Sequence, residues 1–154
     1  LAEEFQATAH LAVLIGKELT IVNKVSAGSF VYMSSRVGGT LPMHASATGK
    51  CVLAWLPAEQ RAELLEECDF KRYTDSTITD KAALESELSV TRVRGYALDD
   101  GETHDGLYCI GCPVLDAAGD IFAAVSVSGS RAALESQLDA VVNSIRNSLK
   151  NIGI

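Results

Sequence analysis

The spacing of apolar residues changes along the chain, and each change marks an element. Residues 10–15, HLAVLI, form a short apolar run that stops at Gly16. After Lys17, residues 18–25, ELTIVNKV, alternate between apolar and polar, so the two runs predict a β-hairpin turning at Gly16-Lys17. Residues 29–34, SFVYMS, predict a third strand between Gly28 and the Gly38-Gly39 pair. Beyond residue 46 the period lengthens. Val52, Leu53 and Leu56 recur at helical spacing, Ser46 is a suitable N-cap, and Pro57 closes that helix and opens the next over 58–67. A third helix is expected over about 80–94, capped by Asp80 and stopped by Gly95. Strands follow at 95–99, 107–115 and 121–128, the last two joined by the turn-forming stretch 116–120. A closing helix over about 132–151 carries Leu134, Leu138, Val141, Val142, Ile145, Leu149 and Ile152 on one face. Hairpins at both ends with helices between them predict an antiparallel sheet and an α+β class.

Composition narrows this picture without redirecting it. The 154 residues, 47% hydrophobic and 21% charged, suit one domain with its own core, 1–154. A formal charge of -7 and the absence of any basic cluster free of acids argue against direct nucleic-acid binding by this segment. No stretch has the length of a membrane span or the plan of a signal peptide, so a cytoplasmic setting is expected, with Cys51, Cys68, Cys109 and Cys112 as free thiols. Residues 2–8 read as the tail of a helix already under way, as in a fragment of a longer chain.

Four segments could carry chemistry. In 41–50, LPMHASATGK, a loop runs into a helix whose first N–H groups, at Ala47 and Thr48, suit an anion, although every helix has such an end. Gly49-Lys50 does not make a phosphate loop, because residue 44 is His and residue 51 is Cys. The acidic stretch 99–105 lacks calcium-loop spacing and reads as a solvated turn, apart from Asp99, which directly follows a strand. Cys109-Ile-Gly-Cys112 lies in a strand, where positions three apart face opposite sides and the two sulfurs diverge. No second pair at zinc-ribbon spacing accompanies it. Ser126 and Ser128 share one strand face, with no nucleophile elbow and no histidine tied to either. A thiol enzyme built on Cys109 or a zinc site using Cys109 and Asp99 remain as alternatives, and neither has its partners in the spacing.

The stretches GGTLPMHASATGKCVLAWLP (38–57) and RGYALDDGETHDGLYCIGCPVLDAAGDIFAAVSVSG (94–129), in this order and with their flanking hairpin segments, resemble the effector-binding domain of IclR-family transcription regulators from about residue 8 to 150. The resemblance implies a GAF/profilin-like curved antiparallel β-sheet flanked by α-helices and no enzymatic activity or cofactor. It also implies a winged helix-turn-helix domain ahead of this one in full-length members, through which DNA is bound, and a homodimer or tetramer without a membrane. By resemblance to the glyoxylate- and pyruvate-responsive regulator, a carboxylate effector is held by the N–H groups of Ala47 and Thr48. Asp99, Cys109, Ser126 and Ser128 make the polar contacts, and Met33, Leu41 and Leu107 form apolar walls. Glycine is common at the helix start in the family. Here the pair is Ala47-Thr48, which adds a side chain near the ligand. Other members take aromatic acids, so a larger acid is the second expectation.

Overall fold

The computed structural model describes residues 1–27 and 35–154. The strand expected at 29–34, and Met33 with it, lie outside the described residues. The expected hairpin forms as β1 (Thr8–Ile15) and β2 (Glu18–Ser26), paired antiparallel and turning at Gly16, whose φ of 62° suits a residue without Cβ. The N-terminal helix α1 is short, Ala2–Phe5, because Gln6 turns left-handed and Thr8 already belongs to β1.

Beyond a two-residue strand β3 (Thr40–Leu41) come α2 (Ala47–Trp55), α3 (Ala58–Glu66) and α4 (Lys81–Arg94). Their caps are those the sequence predicts. Ser46 Oγ accepts from the Gly49 N–H at 3.1 Å, Asp80 Oδ1 accepts from the Ala83 N–H at 2.9 Å, and Gly95 ends α4 at φ 81°. The chain then makes β4 (Ala97–Asp100), β5 (Leu107–Leu115) and β6 (Ile121–Ser130). The six strands form one antiparallel sheet in the order β3-β2-β1-β6-β5-β4, an α+β arrangement.

The closing helix is not continuous. It breaks into α5 (Arg131–Leu134), a 3₁₀ turn (Glu135–Gln137) and α6 (Leu138–Asn151). Val141, Val142 and Ile145 are buried on α6, whereas Ile152, expected on the same face, is 69% exposed beyond the helix end.

Strand alternation divides the core between the two faces of the sheet. Ile110, Cys112 and Val127 point toward α6 and pack with Leu134, Val141 and Ile145. On the other face Ala12, Leu19 and Ala124 pack with Cys51, Val52 and Leu53 of α2 and with Leu84 and Leu88 of α4. Each fully buried Leu, Ile or Val among these contributes about 1.5–3 kcal/mol relative to exposure. Two glycines let α2 lie close. A Cβ on Gly111 of β5 would stand 3.0 Å from the Ala47 carbonyl, and one on Gly49 only 2.5 Å from the Met43 carbonyl oxygen. The first turn of α2 therefore rests directly on the sheet and on its own entry loop. Among the described residues no helix is long and apolar enough to cross a membrane.

Candidate functional site at the start of the second helix

A cavity of about 360 Å³ opens between the first turn of α2 and the sheet. Its lining includes Leu41, Ala47, Thr48, Asp99, Leu107, Cys109, Ser126 and Ser128, which is every expected site residue except Met33. Strand register explains the convergence. Asp99 on β4 is opposite Cys109 on β5, Cys109 is opposite Ser128 on β6, and Ser126 is opposite His10 on β1. Ala47, Leu107 and Cys109 pack together as a small apolar floor beneath the helix start.

The N-cap arrangement leaves donors for the cavity. Ser46 Oγ takes the Gly49 N–H and donates to the Pro42 carbonyl at 2.7 Å, while the Lys50 N–H reaches the Ser46 carbonyl at 3.0 Å. Among the described residues, the N–H groups of Ala47 and Thr48 have no acceptor. Two free N–H groups on a helix N-terminus, facing a partly enclosed space, form a locus of positive potential. The Ser126 hydroxyl also lacks a partner among the described residues.

Asp99 is engaged differently from the expectation. Its Oδ1 accepts from the N–H groups of Glu102 at 2.7 Å and Thr103 at 3.2 Å, and its Oδ2 accepts from the Thr103 hydroxyl. The carboxylate thus shapes the turn that follows it. Burial pushes its pKa up, and these hydrogen bonds pull against that shift. Cys109 is fully enclosed, and its thiol is pushed well above the ordinary range, by burial first and then by the Asp99 charge. A thiol so raised remains protonated near neutrality, which removes the basis for an activated nucleophile there. Cys112 points into the opposite core, as its position in the strand requires.

The stretch 99–105 is only in part the solvated turn expected from its acids, since His104 and Asp105 are exposed but its first half is held inside. Gly101 and Glu102 are buried, and the backbone is held from outside. Thr74 Oγ1 donates to the Gly101 carbonyl and Thr77 Oγ1 to the Glu102 carbonyl, each at 2.6 Å. Lys50, in the first turns of α2 and 1% exposed, pairs with Glu102 Oε1. Glu102 Oε2 is the one buried side-chain oxygen or nitrogen without a partner among the described residues. Burial, opposed by Lys50, brings the Glu102 pKa up to about 7.

Other lining residues escaped the sequence reading. His10 is buried with Nε2 2.9 Å from Ser35 Oγ, and its pKa is lowered to about 4 by burial and by Lys24. Its place two positions before Ala12 on a strand was the available signal. Arg36 is the only Arg or Lys in the described lining, and Tyr73, Thr103 and His104 complete the polar wall. His44 does not line this cavity. It packs beneath the loop against Phe70 and Tyr73.

Comparison with known proteins agrees with this architecture. A profile described as "Bacterial transcriptional regulator IclR C-terminal" matches residues 1–153. The transcriptional repressor IclR of Escherichia coli is 40% identical over 131 residues, covering 84% of this chain and 48% of the repressor. The crystal structure of Thermotoga maritima IclR superposes with a TM-score of 0.85 at 31% identity, covering 98% of this chain and 63% of that one. The inducer-binding domain of PobR from Acinetobacter, a double mutant solved with 3-hydroxybenzoic acid, gives a TM-score of 0.81 at 28% identity and covers 99% and 95%. The chain spans about half the length of the curated relatives it matches, and those relatives are transcription regulators, not enzymes. The chain belongs to the IclR family of bacterial transcriptional regulators and corresponds to its C-terminal domain.

Proposed function

We propose that this effector-binding domain senses a small organic acid, of the 2-oxo or 2-hydroxy type represented by glyoxylate and pyruvate, at the cavity below α2. The observation that carries the reading is the pair of unpartnered N–H groups at Ala47 and Thr48 facing that cavity. A carboxylate placed there accepts two hydrogen bonds and the favourable end of the helix dipole. Ser126 and Ser128 lie across the cavity, where hydroxyls can meet the ligand's second oxygen function, and Arg36 adds a cation from the rim. Asp99 holds the turn that walls the site, and Leu41, Leu107 and the Cys109 thiol give its apolar surface.

In the full-length regulator, the acid would bias one arrangement of the subunits over another, and through that the affinity of a separate DNA-binding domain for its operator. Such an effect requires that the acid bind one arrangement better than the other. A second reading takes an aromatic acid as effector. The PobR domain holding 3-hydroxybenzoic acid supports it, and 360 Å³ is within the range of small-molecule sites.

A thermal-shift series against glyoxylate, pyruvate, other 2-oxo and 2-hydroxy acids and hydroxybenzoates separates the two. An acid at a hundredfold excess over its Kd should raise the melting temperature by about 5–10 °C. Ser126→Ala should weaken that acid by about three- to tenfold, the effect of losing one hydrogen bond to the neutral second oxygen. A rise only with hydroxybenzoates selects the second reading. No rise with any acid contradicts both.

A further inference from the structure

On the far side of the entry loop to α2 lies a second group of chemically competent side chains. His44 precedes α2, whereas Cys68 and Asp69 follow α3. One donor atom from each lies within 4.8 Å of the other two. His44 Nε2 is 2.9 Å from the Lys71 carbonyl oxygen. A carbonyl can only accept, so Nε2 carries the proton and Nδ1 is the ring position turned toward Cys68 Sγ, 3.7 Å away. For zinc–nitrogen and zinc–sulfur bonds of about 2.05 and 2.3 Å at a tetrahedral angle, that separation is about 3.6 Å. Asp69 Oδ1 accepts the Lys71 N–H at 3.1 Å, so the same residue orients both the imidazole and the carboxylate. A backbone carbonyl on the outer nitrogen of a ligating histidine is the usual support of such a site.

We propose that His44, Cys68 and Asp69 form a binding site for a borderline-soft divalent cation of the zinc class, separate from the effector cavity. Imidazole nitrogen, thiolate and carboxylate are suitable ligands for that cation, and the adjoining cavity of about 330 Å³ leaves room for water as the fourth. Binding exchanges the Cys68 S–H bond for a sulfur–metal bond and releases one proton to solvent. With a thiolate and a carboxylate as its two anionic ligands, the bound dication is neutralised.

The site has a direct route to the effector cavity. His44 is three residues before Ala47, and Tyr73, stacked on His44 at 6.0 Å between ring centroids, lines both cavities. A metal would join the 43–46 segment to the end of α3 and so fix the helix start that presents the Ala47 and Thr48 donors.

Cobalt(II) titration of the reduced chain tests the proposal. A one-to-one complex with a thiolate-to-cobalt charge-transfer band and intense tetrahedral visible bands is expected, with zinc displacing the cobalt. Cys68→Ser should remove the charge-transfer band, and Asp69→Asn, a change at an exposed position, should weaken zinc by about tenfold or more. Absence of the band with excess cobalt, or its persistence in Cys68→Ser, overturns the site and leaves only a thiol–imidazole hydrogen bond. Because the thermal-shift series with acids is run without metal, its outcome is independent of this one.

Discussion

Replacing Lys50 by methionine is expected to lower the melting temperature at pH 8 by about 10 °C, from a loss of about 3–5 kcal/mol. Methionine fills nearly the same volume, so the effect isolates the charge. Without Lys50, Glu102 is a buried carboxylate with no cation, and its second oxygen is already unpartnered. The loss should shrink in acid. Burial raises the folded-state pKa of Glu102 from 4.5 to about 7, so the native state binds that proton more tightly than the unfolded chain does. The stability this proton contributes is fully present below about 4.5 and is lost as pH rises through about 7. Removing Lys50 raises the folded pKa further, which places the extra loss above neutrality. Equilibrium unfolding at pH 5 and pH 8 measures it, and the double change Lys50→Met with Glu102→Leu should recover most of the stability. A loss equal at both pH values would show that the charge of Glu102 is not its source.

The second large effect is expected at Gly49. Alanine there gains helix propensity of about 0.5–1 kcal/mol. The added Cβ, however, meets the Met43 backbone at 2.5–2.8 Å, and backbone cannot rotate away. A net loss of about 2–3 kcal/mol is expected. Because the strain falls on the loop that presents the first turn of α2, the response to effector should fall more than the stability does. Chemical denaturation gives the first quantity and an effector titration of the folded variant the second. An alanine variant with unchanged stability would mean that the entry loop yields at no cost.

The sequence was informative wherever structure is decided locally. Ser46, Asp80 and Gly95 cap helices by their own chemistry, and the alternation of β5 and β6 sends Cys109 one way, Cys112 the other, and Ser126 with Ser128 to one face. Strand parity and one helix start bear on Ala47, Thr48, Cys109, Ser126 and Ser128, while the family resemblance is what joins them with Asp99, Leu41 and Leu107 into one site. Features that depend on distant partners were not legible. Lys50 and Glu102 are 52 residues apart, and nothing near Lys50 indicates that it is buried. The acids of 99–105 imply solvent until Thr74, Thr77 and Lys50 are seen to hold the turn inside. The break at 135–137 lies within a stretch whose apolar spacing reads as one continuous helix. The two residues of β3 are too few to show a period.

A carboxylate docked on the N–H groups of Ala47 and Thr48 must change the environment of those two amides. The most direct measurement is the amide nuclear magnetic resonance spectrum of the ¹⁵N-labelled chain during titration with glyoxylate, pyruvate and 4-hydroxybenzoate. With at least one of these acids, the Ala47 and Thr48 amide signals are expected to move saturably and together, in the direction of a stronger hydrogen bond. If a binding acid moves other resonances to saturation and leaves these two in place, or if none of the three moves them, the carboxylate does not dock at the start of α2 and the account is contradicted.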